Sequence, residues 1–349
     1  MARRPGKDAA PDFPIDFVVL WVDGGDPAWR TVMQAWWIAS ARGEDNNGIC
    51  RYHDNGLLRY WFRGVERFAP WVRRVFFVTC GQRPAWLDPS HPKLRAVSHS
   101  EFIPADCLPT FNSRAIQLNL HRIPDLAEHF VLFDDDTFLL RPVAPSFYFR
   151  GGLPVLPASL RLPRYHWDQN WVRTAWNDFY EVNSHIDLAR SIRANARKWF
   201  DPFALGPRHA LGNYLRYRLN ANLPVTNFGH LPSPHLKSTI AEVWRKCPES
   251  MKRTTRGRFR SHDQVCQWLF IAWNLATGRF HPVDLPYSTF VFDVTRKSVS
   301  TVCDAVRSAP KPQICLQEPP GNPDGDFCYA ELAKAFEDLL PGRSSFELA

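Results

Sequence analysis

The sequence predicts an α/β fold: a mainly parallel, Rossmann-like sheet flanked by helices, with a mid-chain helical insertion. Three observations predict it. Short β-branched and aromatic runs alternate with segments of helical periodicity, two of those runs end in dense acidic turns, and the 349 residues have a globular balance of 45% hydrophobic and 22% charged. Consecutive parallel strands need a crossover that covers a sheet face, so strand–helix alternation favours a parallel sheet. At about 150 residues per domain, the length suits two domains or one large α/β unit.

Residues 1–13 are charged and contain proline, which predicts a flexible arm. Residues 14–145 form an N-terminal α/β half. Within it, residues 15–21 read as a strand, Asp23-Gly24-Gly25-Asp26-Pro27 as a turn, and the Trp-rich stretch beyond as a helix. Leu57, Leu58, Trp61, Val65 and Phe68 then recur on one helical face, with Asp54 or Asn55 placed as N-cap, and residues 74–79 follow as a short buried strand. Asn112 or Ser113 caps a helix running to about residue 123, and the strand at 130–133 stops at Asp134-Asp135-Asp136. Residues 146–225 turn Pro-, Trp- and Arg-rich around a helical stretch at about 186–200, which reads as an insertion or lid. Residues 226–349 complete the unit, with helices near 265–275 and 329–340 joined through a connector at 308–327 that holds five prolines.

The longest purely apolar runs, residues 17–22 and 268–273, are six residues each, whereas a spanning helix needs about 20. Met1-Ala-Arg-Arg has no apolar signal core. A cytoplasmic location is expected, possible also at the inner face of the cell membrane through a basic surface. The net charge is +8, and residues 245–260 hold seven basic side chains against Glu249, a local +6. An anionic partner fits this surplus, and so does a solvated basic face. Eight cysteines stand singly without a C-x-x-C pair, so neither zinc nor a disulfide framework is expected.

Three consecutive carboxylates at a strand end repel one another and are costly to desolvate without a counter-charge. A divalent cation resolves this, since Mg²⁺ takes one or two carboxylates and shares substrate phosphates; a solvated acidic turn is the other reading. Asp23 and Asp26 flank two glycines after the first strand, where a ligand could approach the backbone, although Asp-Gly is also a common turn pair. His230 and His235 sit in Gly229-His-Leu-Pro-Ser-Pro-His235, as structural residues or as a base near phosphate. Arg260 could fork onto a phosphate or face solvent.

The order and wording of four blocks resemble one family. The first is Ile15-Asp-Phe-Val-Val-Leu-Trp-Val-Asp-Gly-Gly-Asp26. The second begins at Asp54-Asn55 with Leu58-Arg59-Tyr60, passes through Arg63, Glu66, Gly81-Gln82, Thr110-Phe-Asn-Ser113 and Ala115-Ile116, and ends in Asp135-Asp136. The third holds His230-Leu-Pro, Lys237-Ser238 and Phe259-Arg-Ser261, and the fourth is the terminal Leu340-Pro with Ser344-Ser-Phe-Glu347. Together they resemble the Stealth family. These sugar-1-phosphate transferases include bacterial capsular and exopolysaccharide phosphotransferases and the eukaryotic lysosomal-enzyme GlcNAc-1-phosphotransferase. The chain departs from the family pattern at Gly25 (usually Ser), Cys80 (Asn), Gln117 (Glu) and Asp134 (Asn), and its Cys315-Leu-Gln-Glu318 stands where the family has C-L-N-D.

The resemblance implies a GT-A-like fold. It also implies transfer of a hexose 1-phosphate, such as GlcNAc 1-phosphate, from a nucleotide-diphosphate sugar to a hydroxyl of an oligo- or polysaccharide acceptor. By similarity, Asp54, His230 and Arg260 match active-site positions, with His230 or Asp54 as base. Asp135 and Asp136 would hold Mg²⁺ or Mn²⁺. Asp23, Gly24, Asp26, Asn55, Arg59, Asn112, Ser113 and Lys237 are the candidate substrate-binding residues. Two alternatives remain: a metal-dependent glycosyltransferase releasing nucleoside diphosphate, or a non-catalytic protein binding an anionic ligand. Peripheral membrane association is compatible with the enzyme reading, and no nucleic-acid partner is expected.

Overall fold

The structure, a computed structural model, describes residues 12–40, 48–160, 170–220, 231–283 and 289–348. In the N-terminal half, β1 (Ile15–Leu20) leads to α1 (Pro27–Ala39) and α2 (Leu58–Phe68). Then come β2 (Val75–Thr79), β3 (Leu94–Ser98), α3 (Ser113–Asn119), β4 (His129–Phe133) and β5 (Thr137–Leu139). β6 (Phe149–Arg150) and β7 (Leu153–Pro157) precede five helices: α4 (Asn170–His185), α5 (Leu188–Ala194), α6 (Ala196–Phe200), α7 (Pro202–Leu205) and α8 (Pro207–Leu219). The remainder runs β8 (Ser233–Leu236), α9 (Lys237–Lys246), α10 (Pro248–Arg256), α11 (Trp268–Ala276), β9 (His281–Val283) and β10 (Thr289–Asp293). It closes with α12 (Val299–Ser308), β11 (Gln313–Gln317) and α13 (Gly325–Leu339).

The central sheet has the order β3-β2-β1-β4-β8, parallel throughout except for the antiparallel edge strand β8. Its strands are buried on both faces, which is why β1 and β2 read as continuous apolar runs rather than alternating ones. Phe17 and Val19 face a core built with α2, α12 and α13. Val18 and Leu20 face the other core, into which α4, α5, α9, α10 and α11 pack. Two three-stranded sheets, β10-β11-β5 and β6-β7-β9, flank the main one.

Several motif residues are scaffold. Asp16, fully buried, accepts both fork bonds of Arg73 at 2.8 and 2.5 Å and the Ala127 amide at 2.7 Å, tying β1 to its neighbours. Arg63 on α2 bonds Glu347 through Nε at 2.7 Å and Nη2 at 3.1 Å, while the Glu66 carboxylate takes the Ser345 hydroxyl and amide. The fourth block is therefore a strap that seats Phe346 in the core against Phe62.

The helix expected across 55–68 starts at Leu58, because the Asn55 side chain accepts the Leu57 amide and makes a turn before the helix. The helix expected to reach residue 123 ends at Asn119 and tightens into a 3₁₀ turn. The proline-rich connector at 308–327 contains β11, whose Ile314, Cys315 and Leu316 are buried between β10 and β5. Among the described residues, no helix is long and apolar enough to cross a membrane.

Candidate active site

From β1 the chain steps outward to β2 and β3, whereas β4 lies on the opposite flank of β1. This reversal opens a crevice at the carboxyl ends of β1 and β4, where open α/β sheets hold ligands. A cavity of about 1220 Å³ occupies that position. It is lined by Asp54, Asn55, Ser113, Asp134, Asp135, Asp136 and Arg260, together with Leu231. The structure thus brings the acids of the N-terminal half and the guanidinium of residue 260 to one cleft. His230 lies outside the described residues.

Asn112 explains how Arg260 reaches the acids. Fully buried, it N-caps α3 by accepting the Arg114 amide, and its Nδ2 donates to the carbonyl of Gly257 at 2.8 Å and to Gln264 Oε1 at 3.1 Å. The loop after α10 is thereby sewn to the start of α3, and Arg260 Nη2 donates to Ser113 Oγ at 2.6 Å. Phe111 stacks on Phe259 with ring centroids 5.2 Å apart, closing the same seam with apolar contact.

Burial raises the Asp135 carboxyl well above the usual carboxylate range, and the charges of Asp136, Asp134 and Asp54 raise it further. Such crowding is what a cation would relieve. Gln117 Nε2 donates to Asp134 Oδ1 at 3.3 Å, so two departures from the family pattern are partners. An amide and a carboxylate have exchanged places, keeping one hydrogen bond and one negative charge.

Six of the expected substrate contacts are not among the residues lining the cavity. Asp26 N-caps α1, accepting the amides of Ala28 and Trp29, and takes Gln82 Nε2 at 2.9 Å; that last bond leads the effects that lower its carboxyl. Asp23 accepts the Gly25 amide within the same turn. Gly24 is small for the chain's own sake: its amide donates to the Tyr52 carbonyl at 2.7 Å, and a Cβ there would stand 2.2 Å from that oxygen. Arg59 lies over the Trp86 ring, 5.6 Å from its centroid. Lys237 donates to the carbonyls of Ile123 and Leu126 at 3.1 Å, and Asn112 is the seam just described. In each case the group makes a contact within the chain, because caps, close approaches and carbonyl clamps use the same residue types as ligand sites.

The basic segment at 245–260 is likewise dispersed. Arg258 stacks on Trp36 at 4.0 Å and donates to the Leu108 carbonyl, while Arg253 lies 3.6 Å from Asp263. His235 is buried on β8, where its Nε2 meets Ser233 Oγ at 2.8 Å and Gln267 Oε1 at 3.1 Å. Burial pulls it down to about 4, so it is a neutral structural imidazole.

The sequence reading did not single out Arg114 or His53. Arg114 lines the cleft and bonds the Ser261 carbonyl at 2.9 Å, and its place directly after Ser113 was the available signal. His53 Nδ1 lies 3.3 Å from Glu318 Oε2 across 265 residues, a pairing that spacing could not reveal. Gln317 and Glu318 both line the cavity, from the end of β11.

Residues 13–36 match the model of Stealth protein conserved region 1, and residues 51–154 that of conserved region 2. The chain is 36% identical to the capsular polysaccharide phosphotransferase WcwK of Streptococcus pneumoniae, over 96% of this chain and 99% of that protein. It is 33% identical to the exopolysaccharide phosphotransferase cps2G of Lactiplantibacillus plantarum, over 96% of each. A solved structure, the apo form of the bifunctional glycosyltransferase WbbM, aligns with 96% of this chain and 51% of its own at 12% identity and a TM-score of 0.38.

Proposed function

Because the chain belongs to the Stealth family and is a phosphotransferase, we propose that it transfers a hexose 1-phosphate from a nucleotide-diphosphate sugar to a glycan hydroxyl in capsular or exopolysaccharide synthesis. One observation carries this reading beyond kinship: Asp54, Asp134–Asp136 and Arg260 share one cleft at the topological switch point. A pyrophosphate bound there would share the cavity with both a guanidinium and carboxylates.

Arg260, oriented by Ser113, forks onto oxygens of the phosphoryl group in flight, where cationic cover counts most because charge spreads over those oxygens. Asp54, or His230 as the family resemblance implies, takes the proton of the attacking hydroxyl. The sugar–phosphate bond stays intact and the pyrophosphate bridge breaks, leaving a nucleoside monophosphate. Asp135 and Asp136 fit a divalent cation, Mg²⁺ or Mn²⁺, which when bound neutralises phosphate charge and shares its oxygens. Their crowding with Asp134 and Asp54, which raises Asp135, is the structural support for that assignment. Incubating the purified chain with a panel of nucleotide sugars, a glycan acceptor and Mg²⁺ tests the reading. Nucleoside monophosphate as the released product supports it; release of nucleoside diphosphate would instead mean attack at the anomeric carbon.

A further inference from the structure

Away from the cleft, the last turn of α4 meets the junction of α9 and α10. Glu181 and His185 stand four residues apart, hence on one face of α4, and Cys247 occupies the single residue between the other two helices. One carboxylate oxygen, one ring nitrogen and the thiol sulfur all lie within 4.8 Å of one another, the one such grouping of three found among the described residues. We propose that Glu181, His185 and Cys247 form a binding site for a zinc-type transition-metal ion, one that fastens α4 to the α9–α10 turn.

The donor set selects the class of ion. Sulfur, imidazole nitrogen and a carboxylate together suit borderline-soft Zn²⁺, whereas Mg²⁺ takes oxygen alone. The spacing is close to what zinc needs: with bonds of about 2.3 Å to sulfur and 2.0–2.1 Å to nitrogen, tetrahedral ligands stand roughly 3.5 Å apart, and His185 Nδ1 is 3.8 Å from Cys247 Sγ; that nitrogen here donates to the Glu181 carbonyl at 2.9 Å, a bond and a proton that the ion would replace. An outer layer is present as well. Ser250 Oγ donates to the Glu181 carboxylate and in turn accepts from Arg253 Nη2 at 2.9 Å, the kind of support that orients metal ligands. His185 is exposed while Cys247 is buried, so water can reach the site and would serve as a fourth ligand.

None of the three residues lines the catalytic cavity, so the proposal is independent of the donor reading. Its consequence is mechanical. α4 also lends Thr174 and Ala175 to the cavity wall, and its Asn177 Nδ2 donates to the carbonyls of His262 and Gln264 at 2.7 and 2.8 Å, just past Arg260. A metal at the far end of α4 braces the helix that holds this loop. Cys247 lies 66 residues after Glu181 in sequence, which is why single cysteines gave no zinc signal.

The full-length chain, stripped with chelator and titrated with Co²⁺ and then Zn²⁺, tests the site. One equivalent of Co²⁺ with a thiolate charge-transfer band, displaced by Zn²⁺ and accompanied by a higher Tm, is the expected result. Cys247→Ser abolishes the band. His185→Ala, at an exposed position that leaves folding intact, loses at least about tenfold in affinity and the zinc-dependent rise in Tm. Absence of stoichiometric binding, or a band that survives in both variants, overturns the proposal.

Discussion

At the residue scale, the cleft depends on exchangeable partners as much as on reactive groups. Gln117 and Asp134 show this, because either order of amide and carboxylate satisfies the same contact. Gln117→Glu places two carboxylates together beside Asp135 and is expected to lower kcat/KM about tenfold. Adding Asp134→Asn restores most of the loss, a coupling of about 1–3 kcal/mol in a double-mutant cycle. Additive losses would show that the pair does not act as a unit. Asp135 stood out because three adjacent carboxylates at a strand end are hard to explain as packing, whereas Asp54 and Arg260 were singled out for the active site by the family resemblance; all three line the same cavity. Asp26 and Gly24 show how roles overlap: an N-cap and a glycine forced by the Tyr52 carbonyl look, in sequence, like a ligand loop.

At the element scale, β8 carries a pH-dependent term. His235 has a folded value of about 4 against about 6.5 when free, so between those values the unfolded chain binds a proton that the folded chain refuses. Its contribution to stability is therefore complete above pH 6.5 and falls as pH drops toward 4. Between pH 7 and 5 the wild type should lose roughly 2 kcal/mol relative to His235→Gln, measured by denaturant unfolding at each pH. A constant difference between the two proteins would contradict a buried neutral imidazole. Strands β1, β2 and β4 were legible because double burial makes them continuous apolar runs. β11 was not, since Pro310, Pro312, Pro319 and Pro320 crowd around a five-residue strand, and one of its two partners, β5, comes from a distant part of the chain.

For the whole molecule, the C-terminal strap is joined to α2 by a charge pair in apolar surroundings. Arg63 and Glu347 have side chains only 8% and 4% exposed, so Arg63→Leu leaves a buried carboxylate without its main partner. A loss of about 3–5 kcal/mol is expected in chemical denaturation, and a loss below about 1 kcal/mol would mark the strap as dispensable. The alternation of strands and helices announced the parallel sheet, but neither its strand order nor the seam through Asn112, because Gly257 and Gln264 lie about 150 residues away in sequence and only the folded topology brings them to α3.

The central claim is that the bond broken lies between the two phosphates of the donor. A nucleotide sugar labelled at the sugar-proximal phosphate follows that bond directly. Label recovered in the glycan product, with unlabelled nucleoside monophosphate released, is the expected result. Label retained in soluble nucleoside diphosphate, with unlabelled sugar on the acceptor, contradicts it.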